Sequence, residues 1–218
     1  ISAIPAQGFA LSYIDDICLD GRDNIYIADS GKNKIFRLDP EGGFLGSFGD
    51  EGQGPGEFLS QPRKSPLQIS CGNNGLLYVS DKSNRRVGLF TRGGEFLKHF
   101  RPKSYFFDRV QVDSRGNIFI TSPNGYNLLD RYDSNFKLTG SLLSMEQHRE
   151  YPIYDKPKRG PDSLFSFSIK KRMTSDDHLV ALSNDSLVLF HLDESQRLLN
   201  SFSINNEHFI SDFKKRLK

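Results

Sequence analysis

A fourfold internal repeat constrains this chain more than any other feature of its sequence. Residues 20–27 read Asp-Gly-Arg-Asp-Asn-Ile-Tyr-Ile, and residues 74–79 read Asn-Gly-Leu-Leu-Tyr-Val. The third copy, residues 113–120, reads Asp-Ser-Arg-Gly-Asn-Ile-Phe-Ile, and the fourth contains Leu-Val-Ala-Leu at residues 179–182. The first two copies stay in register at an offset of 52 residues from Asp29 and Asp81 to Phe48 and Phe100. Copies that recur in register indicate a repeat architecture.

Each copy contains the pattern of four short strands. In the first copy, segments rich in β-branched and aromatic residues alternate with turns rich in Gly, Asn and Pro. Such turns between β-rich segments are typical of antiparallel hairpins. Four antiparallel strands in a unit of about 40–45 residues are typical of a propeller blade. We therefore predict an all-β fold, a β-propeller with four recognisable four-stranded blades.

The unequal spacing of the copies predicts two insertions in a single domain that spans residues 1–218. Insertions in repeat proteins often lie on one face and shape a binding surface. The last residues carry an apolar stripe at helical spacing and predict a helical tail. The predicted blades are residues 13–48, 66–100, 106–142 and 168–204, the insertions are residues 49–65 and 143–167, and the tail is residues 205–218.

Composition excludes several classes of protein. The 29 Lys and Arg residues nearly balance the 27 Asp and Glu residues, so the net charge is +2. A dedicated nucleic-acid binder usually has a strongly basic surface, so we do not expect a nucleic-acid partner. No stretch approaches the roughly 20 apolar residues of a membrane-spanning helix. Two cysteines, Cys18 and Cys71, could form one bridge, but the sequence alone does not require it.

The repeat resembles the NHL family. Residues 20–39 and 74–91 match its Asp-x-x-Gly-Asn-Ile-Tyr-Val-Ala-Asp pattern best, and Gly-Gln-Gly-Pro-Gly-Glu-Phe at residues 52–58 resembles bacterial six-bladed propellers of this group, many of them exported. The resemblance implies six blades and an extracytoplasmic location, periplasmic or at the cell surface. Because four copies are legible, we expect the remaining blades to be encoded after Lys218; the alternative is a complete ring of four blades. An open arc would expose apolar blade faces and could self-associate through its blade edges.

Enzymes that resemble this family place metal ligands where the innermost strand of each blade opens onto the channel. The repeat aligns Asp15 with Leu67, Asp108 and Ile169 at this position. Two carboxylates on different blades could contribute to a Ca²⁺ site, but Arg109 and Lys170 in the same ring would repel a cation. We therefore predict a polar channel mouth without a cofactor, with Ca²⁺ as the alternative. The predicted binding residues are Asp15, Asp16, Gln68, Asp108, Arg109 and Lys170.

Other polar residues have structural interpretations. Asp29 and Asp81 follow the second strand of their copies, where a carboxylate can accept hydrogen bonds from turn amides or from Lys34 or Arg86. His178 and His191 fall in one copy, and we expect surface roles for both. The sequence contains no His-Glu-x-x-His pair and no Gly-x-Ser-x-Gly turn, so neither zinc nor a hydrolase triad is supported.

These patterns favour a non-enzymatic binding platform. A regular scaffold without a complete catalytic group is expected to recognise a protein, peptide or saccharide through its insertions and channel mouth. The first alternative is a metal-dependent lyase or lactonase-like enzyme that uses Asp15, Asp16 and Asp108. The second alternative is an RNA-binding NHL propeller, because basic clusters such as Arg85-Arg86 occur along the chain.

Overall fold

The described residues form β-strands and turns. The computed structural model describes residues 9–103, 109–121, 127–144, 169–173, 177–183, 188–195 and 197–203. Within these ranges the chain forms sixteen strands and no helix. The strands are β1 (Ile14–Leu19), β2 (Ile25–Asp29), β3 (Lys34–Leu38), β4 (Phe44–Phe48), β5 (Leu67–Cys71), β6 (Leu77–Asp81), β7 (Arg86–Phe90), β8 (Phe96–Phe100), β9 (Gln111–Val112), β10 (Ile118–Thr121), β11 (Asn127–Tyr132), β12 (Leu138–Ser144), β13 (Ile169–Met173), β14 (Leu179–Ser183), β15 (Val188–Leu192) and β16 (Leu198–Ser203).

The strands assemble into four four-stranded sheets, and in each sheet the strands are hydrogen-bonded in chain order. The pairs with a described register are antiparallel. The chain divides into two compact units, residues 1–120 with 132–138 and residues 121–131 with 139–218. The first unit holds the sheets β1–β4 and β5–β8 and the pair β9–β10, and the second holds the sheet β13–β16. The fold class predicted from the repeat is confirmed.

Corresponding residues of the repeat occupy corresponding places in the sheets. The second strand of each sheet begins at Ile25, Leu77, Ile118 and Leu179, the four positions that the sequence repeat aligns. Ile25 pairs with Leu38, Leu77 with Phe90 and Leu179 with Leu192. In these three sheets the strand register also shifts at equivalent places in the third strand. The shifts lie between Arg37 and Leu38, between Leu89 and Phe90, and between His191 and Leu192. The repeat therefore specifies strand register as well as strand position.

Apolar side chains between neighbouring sheets form the core of the first unit. One buried cluster combines Tyr26 and Ile35 of the first sheet with Leu67, Val79 and Phe90 of the second. A second cluster packs side chains of β6 and β7 against those of β9 and β10. Each fully buried aliphatic or aromatic side chain contributes about 1.5–3 kcal/mol. The repeated apolar positions therefore join the first sheet to the second and the second sheet to strands β9 and β10.

A disulfide bond joins the first strands of the first two sheets. Cys18 in β1 and Cys71 in β5 are bonded, with their Cα atoms 5.8 Å apart. This pairing, which the sequence left open, links β1 and β5 covalently. Both cysteines also pack against the core cluster between the two sheets.

Carboxylates fix the turns, as the sequence predicts. Asp29 accepts hydrogen bonds from the backbone amides of Ser12, Tyr13 and Gly31, at 2.6, 2.9 and 2.9 Å. Asp81 accepts from the amides of Leu59 and Asn84 and from the Asn84 side chain. Both carboxylates therefore hold the chain that leads into the first strand of their own sheet, and they do so through amides.

Some sequence predictions fall outside the described residues. They are the helical tail, residues 205–218, and the second insertion beyond the end of β12. Among the described residues, none forms a helix with the length and apolarity required to cross a bilayer.

Candidate functional site

The predicted channel-mouth residues of the first unit lie on or beside the first strands of three sheets. Asp15 and Asp16 are in β1, Gln68 is in β5, and Arg109 precedes β9 by two residues. Asp108 lies outside the described residues. Lys170 lies in β13 of the second unit. The structure therefore brings together Asp16 and Arg109, which are 93 residues apart in sequence.

The carboxylate of Asp16 is engaged on both oxygens. Oδ2 accepts a hydrogen bond from Nε of Arg109 at 2.8 Å and from the backbone amide of Ile69 at 3.0 Å. Oδ1 accepts from the amide of Ile17 at 2.9 Å and contacts Nη2 of Arg109. Nη2 of Arg109 also donates to the Ile17 carbonyl at 3.0 Å. Asp16 thus links β1 to β5 by a backbone contact and to the third sheet by a charge-assisted pair.

Asp15 has a similar bridging role. Its Oδ2 accepts a hydrogen bond from the backbone amide of Leu67 at 2.9 Å. Adjacent carboxylates of β1 therefore both bind amides of β5. Gln68 lies between the two β5 residues whose amides they hold, and its Oε1 is buried without a hydrogen-bond partner among the described residues.

The donor set does not favour a metal centre. Calcium requires six to eight oxygen ligands, whereas both oxygens of Asp16 and one oxygen of Asp15 already accept hydrogen bonds. The guanidinium of Arg109 is held against the Asp16 carboxylate and would repel a cation there. Within the described ranges, no group of three His, Cys, Asp or Glu residues is arranged to hold a metal.

The first insertion, residues 49–65, is packed onto the second sheet. Phe58 is 2% exposed and joins the core cluster, where its ring lies 5.7 Å from that of Phe90. The guanidinium of Arg86 donates to the carbonyls of Gln53, Gly54 and Glu57 at 2.7–2.8 Å. The backbone of the insertion is therefore fixed by the sheet, and its outer residues are the ones available to a partner.

A groove beside this insertion was not identified from the sequence. It is a cavity of about 330 Å³ between the insertion, the β6–β7 turn and the segment after β8. The sequence signal was the basic pair Arg85-Arg86, but the sequence could not show which other segments lie beside that pair. The lining residues are Gln53, Ser83, Asn84, Arg85, Arg101, Pro102 and Lys103.

Two histidines of the second unit contact each other. Nδ1 of His178 lies 2.9 Å from Nε2 of His191, and Nε2 of His178 lies 3.4 Å from the Glu194 carboxylate. Both histidines are partly exposed, in keeping with the predicted surface roles. The sequence placed them in one copy, and the structure adds their direct contact.

Comparison with known proteins gives the same architecture. Residues 6–158 match the model of a family described as a 6-bladed beta-propeller. No curated protein matches the sequence.

Solved propeller structures resemble the chain at low sequence identity. Virginiamycin B lyase from Staphylococcus aureus has a TM-score of 0.55 and 14% identity, with 89% of this chain and 56% of the lyase chain covered. A presumed exported protein from Bacteroides fragilis has a TM-score of 0.63 and 15% identity, with 96% of this chain and 58% of the exported protein covered. The WD40 repeats of RRP9 have a TM-score of 0.60 and 13% identity, with 90% of this chain and 52% of the RRP9 chain covered. The chain thus spans little more than half the length of these proteins, and the likeness shows the fold alone.

Proposed function

Since the chain belongs to this family of six-bladed β-propellers, we propose that it is a non-enzymatic platform that binds a protein, peptide or saccharide. The observation that carries the proposal is the engagement of Asp16. A carboxylate already held by Arg109 and by two backbone amides contributes to the joining of sheets rather than to the coordination of a metal.

The proposed binding face is the end of the sheets at which β1 and β5 begin. Asp29 at the end of β2 holds the residues before β1, so the β2–β3 turn lies at this same end. The first insertion follows the end of β4 and lies there too, because Ser60 donates its amide and its hydroxyl to Oδ1 of Asn33 in the β2–β3 turn. Asp15, Gln68 and Arg109 thus share an end with loops that repeat proteins commonly use for recognition.

A calcium titration tests this proposal against the metal-dependent enzyme. We expect no saturable Ca²⁺ binding by calorimetry and no Ca²⁺-dependent rise in melting temperature, because Asp15 and Asp16 are engaged with the backbone and with Arg109. The Asp15→Asn variant is the matched control. Stoichiometric Ca²⁺ binding that this substitution abolishes would favour the lyase or lactonase-like alternative and contradict the platform.

The disulfide supports the proposal of an extracytoplasmic location. Bridges such as Cys18–Cys71 persist in oxidising compartments and are rare in the cytosol. The similarity to a presumed exported protein points in the same direction. Acid-quenched alkylation of the protein in its source cells tests the location: blocked cysteines would support export, and full alkylation of both would contradict it.

Self-association through an open sheet stays a prediction. Ile14, Ile17 and Leu19 of β1 are 54, 53 and 57% exposed, so the first strand presents apolar side chains to solvent. Exposed apolar surface of this kind favours association. Sedimentation of the chain over a range of concentrations measures it.

A further inference from the structure

The groove beside the first insertion has an unbalanced charge. Three of its seven lining residues are cationic, namely Arg85, Arg101 and Lys103, and none of the seven is acidic. The side chains of Arg101 and Lys103 are exposed and have no ion pair or side-chain hydrogen bond within the described part of the chain. Their charges are therefore available to an anion.

The positive charge extends beneath the groove. Arg86 is buried, and its guanidinium donates to backbone carbonyls of the insertion rather than to a carboxylate. Burial lowers the pKa of the neighbouring His99, and the charges of Arg86 and Arg101 lower it further. The carboxylate of Asp81 is buried and accepts hydrogen bonds from Leu59 and Asn84, and the carboxylate of Glu57 accepts one from the Gly54 amide. The residues that line the groove therefore carry a net positive charge.

The polar groups of the groove fit a peptide better than a single-stranded nucleic acid. Asn84 donates from Nδ2 to the Gly52 carbonyl and to Asp81, so its amide is held in place and its Oδ1 can accept from a peptide N–H. Pro102 supplies an apolar contact. None of the lining residues is aromatic, although bases of single-stranded nucleic acids usually stack on aromatic rings.

We propose that this cationic groove binds an acidic peptide segment of a protein partner, with carboxylates paired to Arg101 and Lys103. Guanidinium groups pair with carboxylates through two parallel hydrogen bonds, which gives both strength and direction. The inference rests on the proposed function as a binding platform and names the chemistry of one part of its partner.

Fluorescence anisotropy with a labelled hexaglutamate peptide tests the inference. We expect binding at low ionic strength that weakens as salt is added, because the contacts are between exposed charges. A hexaglutamine peptide should not bind. The Arg101→Ala/Lys103→Ala variant should lose at least about tenfold in affinity, the equivalent of about 1.4 kcal/mol.

The matched control is Lys32→Ala/Arg115→Ala, which also removes one lysine and one arginine, both exposed and outside the groove. It should keep the affinity of the wild type, and both variants should keep its melting temperature. Amide shifts of Ser83–Arg85, Arg101 and Lys103 in the wild-type protein locate the peptide without any substitution.

Several outcomes would overturn the inference. They are no binding of hexaglutamate, equal loss in the control variant, shifts elsewhere than the groove, or tighter binding of a hexauridylate RNA or an oligoglucuronate. The outcome of the calcium titration does not depend on this peptide. Failure here would therefore remove the acidic peptide as ligand and leave the proposed platform to be judged by its own test.

Discussion

At the scale of single residues, Asp16 illustrates how a polar side chain in this chain joins strands that are remote in sequence. Its carboxylate meets an amide of β5 and the guanidinium of Arg109, and its side chain is 12% exposed. Removing one member of a largely buried pair leaves the other without compensation, which is costly. The Lys34–Asp50 pair offers a contrast, because Asp50 is 78% exposed and exposed pairs contribute little.

We predict that Asp16→Asn lowers the free energy of unfolding by about 1–3 kcal/mol, because it removes the charge that Arg109 faces. Asp50→Asn, the same chemical change in an exposed pair, should lower it by less than about 1 kcal/mol. Urea denaturation of both variants measures the difference. Equal losses would show that the Asp16–Arg109 contact does not contribute more than a surface pair.

Tyr26 provides a prediction about pH. Its hydroxyl lies 3.1 Å from Oδ2 of Asp20, and burial together with the Asp20 charge raises the pKa of Tyr26 from 10.0 to about 12. Between about pH 10 and 12 the unfolded chain loses this proton and the folded chain keeps it, so the free energy of unfolding falls as pH rises. The advantage of the wild type over Tyr26→Phe should therefore shrink by about 2–3 kcal/mol across that range.

Urea denaturation of the wild type and of Tyr26→Phe at a series of alkaline pH values tests this prediction. Tyr78, whose pKa is also raised by burial, is present in both proteins and serves as an internal control. A difference between the two proteins that stays constant from pH 10 to 12 would contradict the raised pKa of Tyr26.

At the scale of elements, the sequence predicted the strands closely and their contacts poorly. The first two blades were predicted at residues 13–48 and 66–100, and the observed sheets run from Ile14 to Phe48 and from Leu67 to Phe100. Local pattern specifies such strands because turn residues and apolar alternation are properties of neighbouring residues. The pairing of Asp16 with Arg109 and the basic groove depend on how separate loops pack, which no local pattern contains.

The first insertion provides the prediction for an element. Arg86 reaches three of its carbonyls, and a lysine cannot match the guanidinium fork with its single ammonium group. Arg86→Lys should lower the free energy of unfolding by about 2–4 kcal/mol. It should also speed cleavage by a glutamate-specific protease at Glu51 or Glu57. The conservative control is Arg115→Lys at an exposed position, and equal cleavage in both variants would contradict the anchoring role of Arg86.

At the scale of the whole molecule, the fold could be predicted and the disulfide could not. Four aligned copies imply a propeller, since each sheet must bury its apolar face on a neighbour. The repeat, however, aligns Cys18 with Ser70 and not with its partner Cys71. The bridge is therefore not a repeated feature, and knowledge of the packing between β1 and β5 was required to find it.

We predict that Cys18→Ser/Cys71→Ser lowers the free energy of unfolding by about 4 kcal/mol, because the bridge restricts a loop of 53 residues in the unfolded chain. Dithiothreitol should lower the melting temperature of the wild type to near that of the double variant. It should leave the melting temperature of the double variant unchanged. A wild-type protein that melts at the same temperature with and without the reductant would contradict a stabilising bridge.

The bridge between β1 and β5 also determines how the chain responds to a pulling force. Residues between the two cysteines cannot extend while the bond is intact. When the molecule is stretched from its two ends, its extended length is therefore shorter by the length of these 53 residues. At about 3.6 Å per residue, the difference in extended length is roughly 190 Å. An optical trap would record the shorter contour in oxidising buffer and its recovery once a reductant is added, molecule by molecule.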